Sequence, residues 1–399
     1  MKGLQNILFL NGNQSEHSYI AVGCLSELNI QEPFGAFQKL KAFRKKNSVN
    51  YIFGYLSYEL KNDTENLFSD NTDWIGAPSL YFFVPEHIGK LENGEIRMLR
   101  GDKKIIEKVL FEFNDPNTYS SNIVLQPSLR KPAYLNKIKT LQNHIQLGDV
   151  YEANFCYSFE GQSNHFDALN FYKQLNKKSN APFSVFGRLN NIEIASASPE
   201  RFIKRTGDTL TSQPIKGTIK RGETKEEDQV LIQELSKSQK DRSENIMIVD
   251  LVRNDLSRIA TRNSVSVDEL CKIYTFDTLH QMVSTITAKI ENEADPVDIL
   301  SNTFPMGSMT GAPKVRAMEL IEECENIQRG LYSGSVGYIA PNGDFDFNVI
   351  IRTLLHNRES GHLSVSVGGA ITALSDPEQE YDETILKAEV LLKTLNTGI

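Results

Sequence analysis

Apolar residues follow two different rhythms along this chain. Up to about residue 125 they gather in short runs rich in aromatic and β-branched side chains, such as Tyr51-Ile52-Phe53-Gly54-Tyr55 and Leu80-Tyr81-Phe82-Phe83-Val84. Polar turns separate the runs, so this part reads as short strands and loops. The polar stretch from Asn114 to Ser121 reads as a linker. From Lys131 the pattern changes to long helices alternating with strands, beginning with an amphipathic segment from Tyr134 to Leu147 that stops at Gly148. Two later helices announce their starts. Thr224 with Glu227 makes a capping box before Val230, Leu231 and Leu235, and Asp376 caps a helix with Pro377 at its first position. The chain therefore divides into 1-125 and 126-399, and its mixture of antiparallel-looking strands with long helices favours an α+β fold over a regular βαβ alternation.

Composition narrows the function classes. With 399 residues, 40% hydrophobic and 24% charged, the chain can bury a large core. A net charge of -8 with scattered Lys and Arg gives no footprint for nucleic acid, so an anionic ligand would have to meet a local cationic pocket. Cys24, Cys156, Cys271 and Cys324 lie far apart without a CxxC pair, which argues for reduced thiols rather than zinc or disulfides. The run Ile7-Leu8-Phe9-Leu10 is cut off by Asn11 and Asn13 before a signal core or membrane span forms, and a cytoplasmic enzyme away from membranes is expected.

Several segments could carry chemistry. In the helix opened by Pro377, Glu380, Glu383 and Lys387 stand at i, i+3 and i+7 on one face, where two carboxylates could hold a hard cation. A solvated charged face has the same pattern. Glu244 sits where the segment from Lys240 to Asp250 begins to bury, and Glu244 with Glu383 would suffice for magnesium; a capping or surface glutamate is the plain alternative. Lys216 lies between Pro214 and Gly217, presented from a strand edge or turn, and as a nucleophile it would need a depressed pKa. The loop Gly307-Ser308-Met309-Thr310-Gly311-Ala312-Pro313-Lys314 runs into an apolar helical pattern, so its amides could cradle an anion. It lacks the Walker A spacing, and ATP is not implied. Gly368-Gly369, after the strand Ser364 to Val367, allows either a close backbone approach or a bulge.

In their order and spacing these segments resemble the chorismate-utilising enzymes, a family of anthranilate synthase large subunits and aminodeoxychorismate, isochorismate and salicylate synthases. The resemblance runs over roughly residues 130–399 through Ser198-Pro199-Glu200-Arg201, Pro214-Ile215-Lys216-Gly217-Thr218, Asp241-Arg242-Ser243-Glu244, the 307–314 loop, Tyr332-Ser333-Gly334, Arg352 and Gly368 to Lys387. It is looser before that, at Phe53-Gly54-Tyr55-Leu56-Ser57-Tyr58, with no clear counterpart of the tryptophan-feedback motif. It implies one large α+β unit, two sheets with flanking helices enclosing the site, in which the N-terminal subdomain is part of the same globular unit. It also implies Glu244 and Glu383 as Mg2+ ligands with Glu380 near the ion. Arg352, Tyr332, Lys387 and the backbone around Ser308, Gly311, Gly368 and Gly369 then meet substrate carboxylates, and Glu200 is the general acid at the departing C4 hydroxyl.

Two positions separate the activities within that family. Anthranilate synthases usually carry alanine where this chain has Lys216, and a lysine resembles the branch that makes 4-amino-4-deoxychorismate for p-aminobenzoate and folate, in which it is proposed to attack C2. Members that add water carry a lysine in the segment matching Asp149 to Asn154; here Glu152, or Ala153 one place on, stands there, which leaves ammonia as the better nucleophile. The usual histidine before Ser284 is replaced by Gln281, with His280 one place earlier, so either residue could serve. No cysteine lies in an elbow that would split glutamine, and a separate glutamine amidotransferase is the expected partner. Anthranilate synthase is the nearest alternative reading; a non-catalytic chorismate-binding protein is a more remote one.

Overall fold

A computed structural model of the chain describes residues 6–13, 17–115, 121, 123–276 and 279–395. The early apolar runs are continuous because their strands are buried on both faces. Ile52 and Leu56 pack outward with Leu80, Phe82 and Val84, while Phe53 and Tyr55 turn the other way with Tyr81 and Phe83. Successive side chains leave a strand on opposite faces, and covering both faces erases the polar alternation.

Two antiparallel sheets result, of eleven and ten strands. The first runs from Gly311–Ala312 through Glu152–Gln162, His362–Thr372, Thr353–Asn357, Ile192–Ser198 and Phe183–Leu189, then on to Ile7–Asn11, Ser18–Val22, His87–Glu92 and Glu95–Arg100. The second starts at Ile215–Lys220 and continues through Leu279–Lys289, Thr209–Gln213, Arg201–Thr206, Phe345–Asn348 and Ser335–Ile339 to Ile52–Leu56, Leu80–Val84 and Ser26–Ile30. Strands from before residue 125 thus complete both sheets. Leu8, Val185 and Ile194 of the first sheet meet Phe53, Tyr81 and Val336 of the second in a shared core layer. Helices Lys131–Leu147, Ala168–Ser179 and Pro377–Thr394 cover the outside of the first sheet, and Ala36–Lys46, Gln239–Ser257 and Pro296–Thr303 that of the second. This is an α+β fold.

The helix signals act where the sequence places them. Gly148 ends Lys131–Leu147 in the left-handed conformation, Thr224 Oγ1 accepts from Glu227 N at 3.1 Å, and Asp376 accepts from Gln379 N at 3.0 Å. Three expectations change. The first 125 residues hold helices Ala36–Lys46 and Lys103–Asn114 as well as strands; in the second, Ile106, Val109 and Phe113 recur at helical spacing, a signal that could have been read. Asn114 closes the second of these helices, and residues 116–120 of the expected linker lie outside the described residues. Gly368 and Gly369 lie inside the strand His362–Thr372, in unbroken register with Cys156 and Phe155, so there is no bulge, and a close backbone approach explains Gly368 but not Gly369. All four cysteines are free thiols. Among the described residues no helix is long and apolar enough to cross a membrane.

Candidate active site

The chain crosses between the sheets at two adjoining places. Pro199 and Glu200 link Ile192–Ser198 to Arg201–Thr206, and residues 349–352 return from Phe345–Asn348 to Thr353–Asn357. The crossings are stitched together: Val349 N–H donates to the Glu200 carbonyl at 3.0 Å, Ala197 N–H to the Arg352 carbonyl at 3.0 Å, and Ser198 Oγ to the Val349 carbonyl at 2.6 Å. Glu200 and Arg352 therefore reach one wall of a cavity of about 540 Å³, a size suited to a small metabolite.

Lys216 reaches the same cavity from the other sheet. It lies on the edge strand Ile215–Lys220, not in a turn, and Gly217 at φ 84° breaks the register with Leu279–Lys289 just beyond it. Its Nζ is 3.0 Å from Glu152 Oε1 on the first sheet, so this ion pair closes the gap between the sheets. Its side chain is 10% exposed. Burial by itself lowers an ammonium pKa, but the carboxylates of Glu152, Glu244 and Glu200 outweigh it and hold Lys216 above its ordinary value. The depressed pKa expected of a nucleophile is therefore not present in this arrangement, and Lys216 must pass on a proton before it can attack.

The carboxylates differ from one another. Burial pushes Glu200 up to about 7, against the pull of the Ser308 hydroxyl, Lys216, the Ile215 amide and Arg352, so it can serve as an acid near neutral pH. Burial also pushes Glu244 up to about 7, with Lys216 opposing, and its Oε1 has no hydrogen-bond partner. Lys387 holds Glu383 below the usual carboxylate range. Lys387 Nζ lies 2.8 Å from Glu383 Oε1 and donates to the Gly368 carbonyl at 2.9 Å. Gly368 must lack a side chain, since a Cβ there would stand 2.7 Å from the Phe155 carbonyl oxygen. Lys240 Nζ binds Glu380 Oε1 at 2.8 Å and lies 3.9 Å from Glu383 Oε2. Among the described residues no three His, Cys, Asp or Glu side chains converge as a ready metal cluster. The candidate donors remain Glu244 with its orphaned oxygen, Glu380 and Glu383, the hard oxygen ligands that magnesium takes.

The other candidates divide by position. Ser308, Tyr332, Gly368, Lys387 and Gln281 line the cavity. Gly311 is set back, paired with Ala153, and Gly369 and Glu380 also stand behind the wall. His280 faces away from the cavity, bonded to Asp228 Oδ1 at 2.8 Å and to Thr275 Oγ1 at 2.9 Å, so of the adjacent pair it is Gln281 that looks into the site. The helix expected to open from the 307–314 loop begins only at Lys314, after the short strand Gly311–Ala312, and the Lys314 ammonium is committed to Asp255 at 2.5 Å. The cavity is also lined by residues for which no role was expected, among them Asn154 and Lys240. Asn154 lies two positions after Glu152 on one strand face, and Lys240 one helical turn before Glu244; these spacings could have found both.

The chain is similar to known proteins along most of its length. The profile of the chorismate binding enzyme family matches residues 5–393. The aminodeoxychorismate synthase, chloroplastic, of Arabidopsis thaliana is 42% identical over 265 residues, covering 65% of this chain and 28% of the plant protein. Aminodeoxychorismate synthase component 1 of Escherichia coli strain K12 is 40% identical over 284 residues, covering 71% of this chain and 62% of that protein. This chain thus spans less than a third of the plant relative's length and less than two thirds of the bacterial one's. The crystal structure of anthranilate synthase component I from Streptococcus pneumoniae TIGR4 shares the fold, with a TM-score of 0.81 at 24% identity over 96% of this chain and 93% of that one.

Proposed function

The chain belongs to the chorismate binding enzymes, and from that membership we propose that it replaces the C4 hydroxyl of chorismate with an ammonia-derived amine, giving 4-amino-4-deoxychorismate for p-aminobenzoate and folate synthesis. The observation that carries this reading is Lys216, a lysine on the cavity wall that faces Glu152 at 3.0 Å and shares the site with Glu200.

Each group has a task that its surroundings suit. Glu200, a carboxylic acid up to about pH 7, protonates the departing hydroxyl. Glu152 Oε1 is the nearest acceptor for the Lys216 proton, after which the amine attacks C2 as the C4–O bond breaks. Ammonia then bonds to C4 and gives its surplus proton to Glu200, the C2–N bond breaks, and the proton returns from Glu152 to Lys216; two easier displacements replace one difficult one. Arg352 and Lys387 supply the cationic partners that a dicarboxylate needs in an acidic protein. Glu244 and Glu383, with Glu380 close behind them, would hold magnesium, whose charge would offset theirs and anchor a substrate carboxylate.

Ammonia would come from a second subunit. Burial pushes the thiols of Cys24, Cys156, Cys271 and Cys324 above their ordinary value, so none is poised to split glutamine. The component 1 name of the Escherichia coli relative supports a partner, which we take to be a glutamine amidotransferase in the cytoplasm. The test is incubation with chorismate, magnesium and ammonium. p-Aminobenzoate should form only when an aminodeoxychorismate lyase is added, glutamine should replace ammonium only with the amidotransferase present, and EDTA should stop turnover. Anthranilate with pyruvate would assign the chain to anthranilate synthases instead.

A further inference from the structure

Among the described residues, Gln281 is the one side chain with two separate polar atoms buried without a partner: neither Nε2 nor Oε1 is hydrogen-bonded. It is 1% exposed and lines the cavity beside Lys216 and Glu244. Nor can it easily swing away, because its strand is held on both sides, with Thr218 opposite on one neighbour and Tyr274 on the other. A buried amide that has given up water and gained nothing weakens the fold, and in native proteins such groups are rare and call for an explanation. Since both ends of the amide are free, exchanging its oxygen and nitrogen changes nothing in the argument.

The chemistry of the free ends identifies what could satisfy them. Nε2 needs an acceptor, which chorismate offers in its carboxylate and ether oxygens. Oε1 needs an N–H or O–H donor. Ionised carboxylates have none. The donors brought by this substrate pair are the C4 hydroxyl and ammonia, and both meet at the carbon where substitution occurs.

We propose that Gln281 is a recognition residue whose amide receives the N–H or O–H donor at C4 of the ring. The inference rests on the chorismate and ammonia reading above. It predicts an uncommon pairing of effects: removing the amide relieves the free protein while weakening its hold on one substrate.

Gln281→Leu tests this, with Gln281→Met as a second apolar variant in case branching disturbs the strand. The melting temperature of the ligand-free variants should equal or exceed the parent's. If the donor is the hydroxyl, the chorismate Kd without ammonium should weaken about tenfold; if it is ammonia, that Kd should hold while the KM for ammonium rises about tenfold. A lowered melting temperature in both variants, or both constants within twofold of the parent, would overturn the proposal. Titration of the parent separates the two readings. A parent that fails to bind chorismate refutes the substrate, whereas a binding parent with unaltered variants refutes the role of Gln281.

Discussion

Two buried polar regions of this protein follow opposite rules. At Arg329 every N–H is engaged: Nε and one Nη2 bond go to Glu325, at 3.0 and 2.6 Å, and the rest to the carbonyls of Met309 and Asn154 and the Ser333 hydroxyl. Glu325 in turn accepts the Cys156 amide at 2.8 Å, and the guanidinium stacks 4.5 Å from the Tyr58 ring centre. On the cavity wall, by contrast, Asn154 Oδ1, Glu244 Oε1 and both ends of Gln281 are buried without partners, as is Oε2 of Glu152, the residue that pairs with Lys216. The Arg329 cluster ties the backbones of the 307–310 loop and the strand Glu152–Gln162 into a frame. The wall leaves its hydrogen bonds for a ligand to make. Of these two regions, the fully paired guanidinium serves the fold, and the unpartnered atoms facing the cavity point to function.

Substitutions on each side should separate these roles. The largest effect is expected at Glu200. Glu200→Gln removes the acid and should lower kcat by ~10²–10⁴ at near-normal chorismate binding and stability; a parent-like rate would remove Glu200 from catalysis. The parent's kcat/KM should also fall as pH rises through about 7, where Glu200 gives up its proton, and this limb should be missing from the variant. On the frame, Arg329→Met strands the Glu325 charge and should destabilise by about 3–5 kcal/mol in urea unfolding. Adding Glu325→Gln should recover much of that. A loss below about 1 kcal/mol would mean that the pair is not structural.

The smallest effect tests the wall from the opposite direction. Glu244, ordinarily near 4.5, titrates near 7 in the fold, so the folded protein binds more protons than the unfolded chain between those values. Stability from this group is complete below about 4.5 and lost as pH rises to about 7. In chelated buffer above pH 7, Glu244→Gln should therefore gain about 1–3 kcal/mol. A loss of stability would place Glu244 with the frame.

Much of this was legible in the sequence, and the gaps have physical causes. Helix caps at Thr224, Gly148 and Asp376 act locally, so they could be read directly. Glu200, Lys216, Glu244 and Glu383 were legible through resemblance, because chemistry ties residue type to position. Pairings between sheets were not. Glu152 meets Lys216 across 64 residues, and neither periodicity nor composition records that contact. Arg329 was missed for the same reason, since its partners come from the segments around Asn154, Met309 and Ser333. His280 and Gln281 remained alternatives until strand geometry showed which one faced the cavity.

The central claim is that Lys216 makes this site an aminating one. The most direct measurement is product analysis of chorismate turnover with ammonium and magnesium by the parent and by Lys216→Ala, each checked for cooperative unfolding. The account predicts 4-amino-4-deoxychorismate without pyruvate from the parent, and loss of most of that product from a variant that still folds. Anthranilate with pyruvate from the parent, or an undiminished rate in the variant, would contradict it.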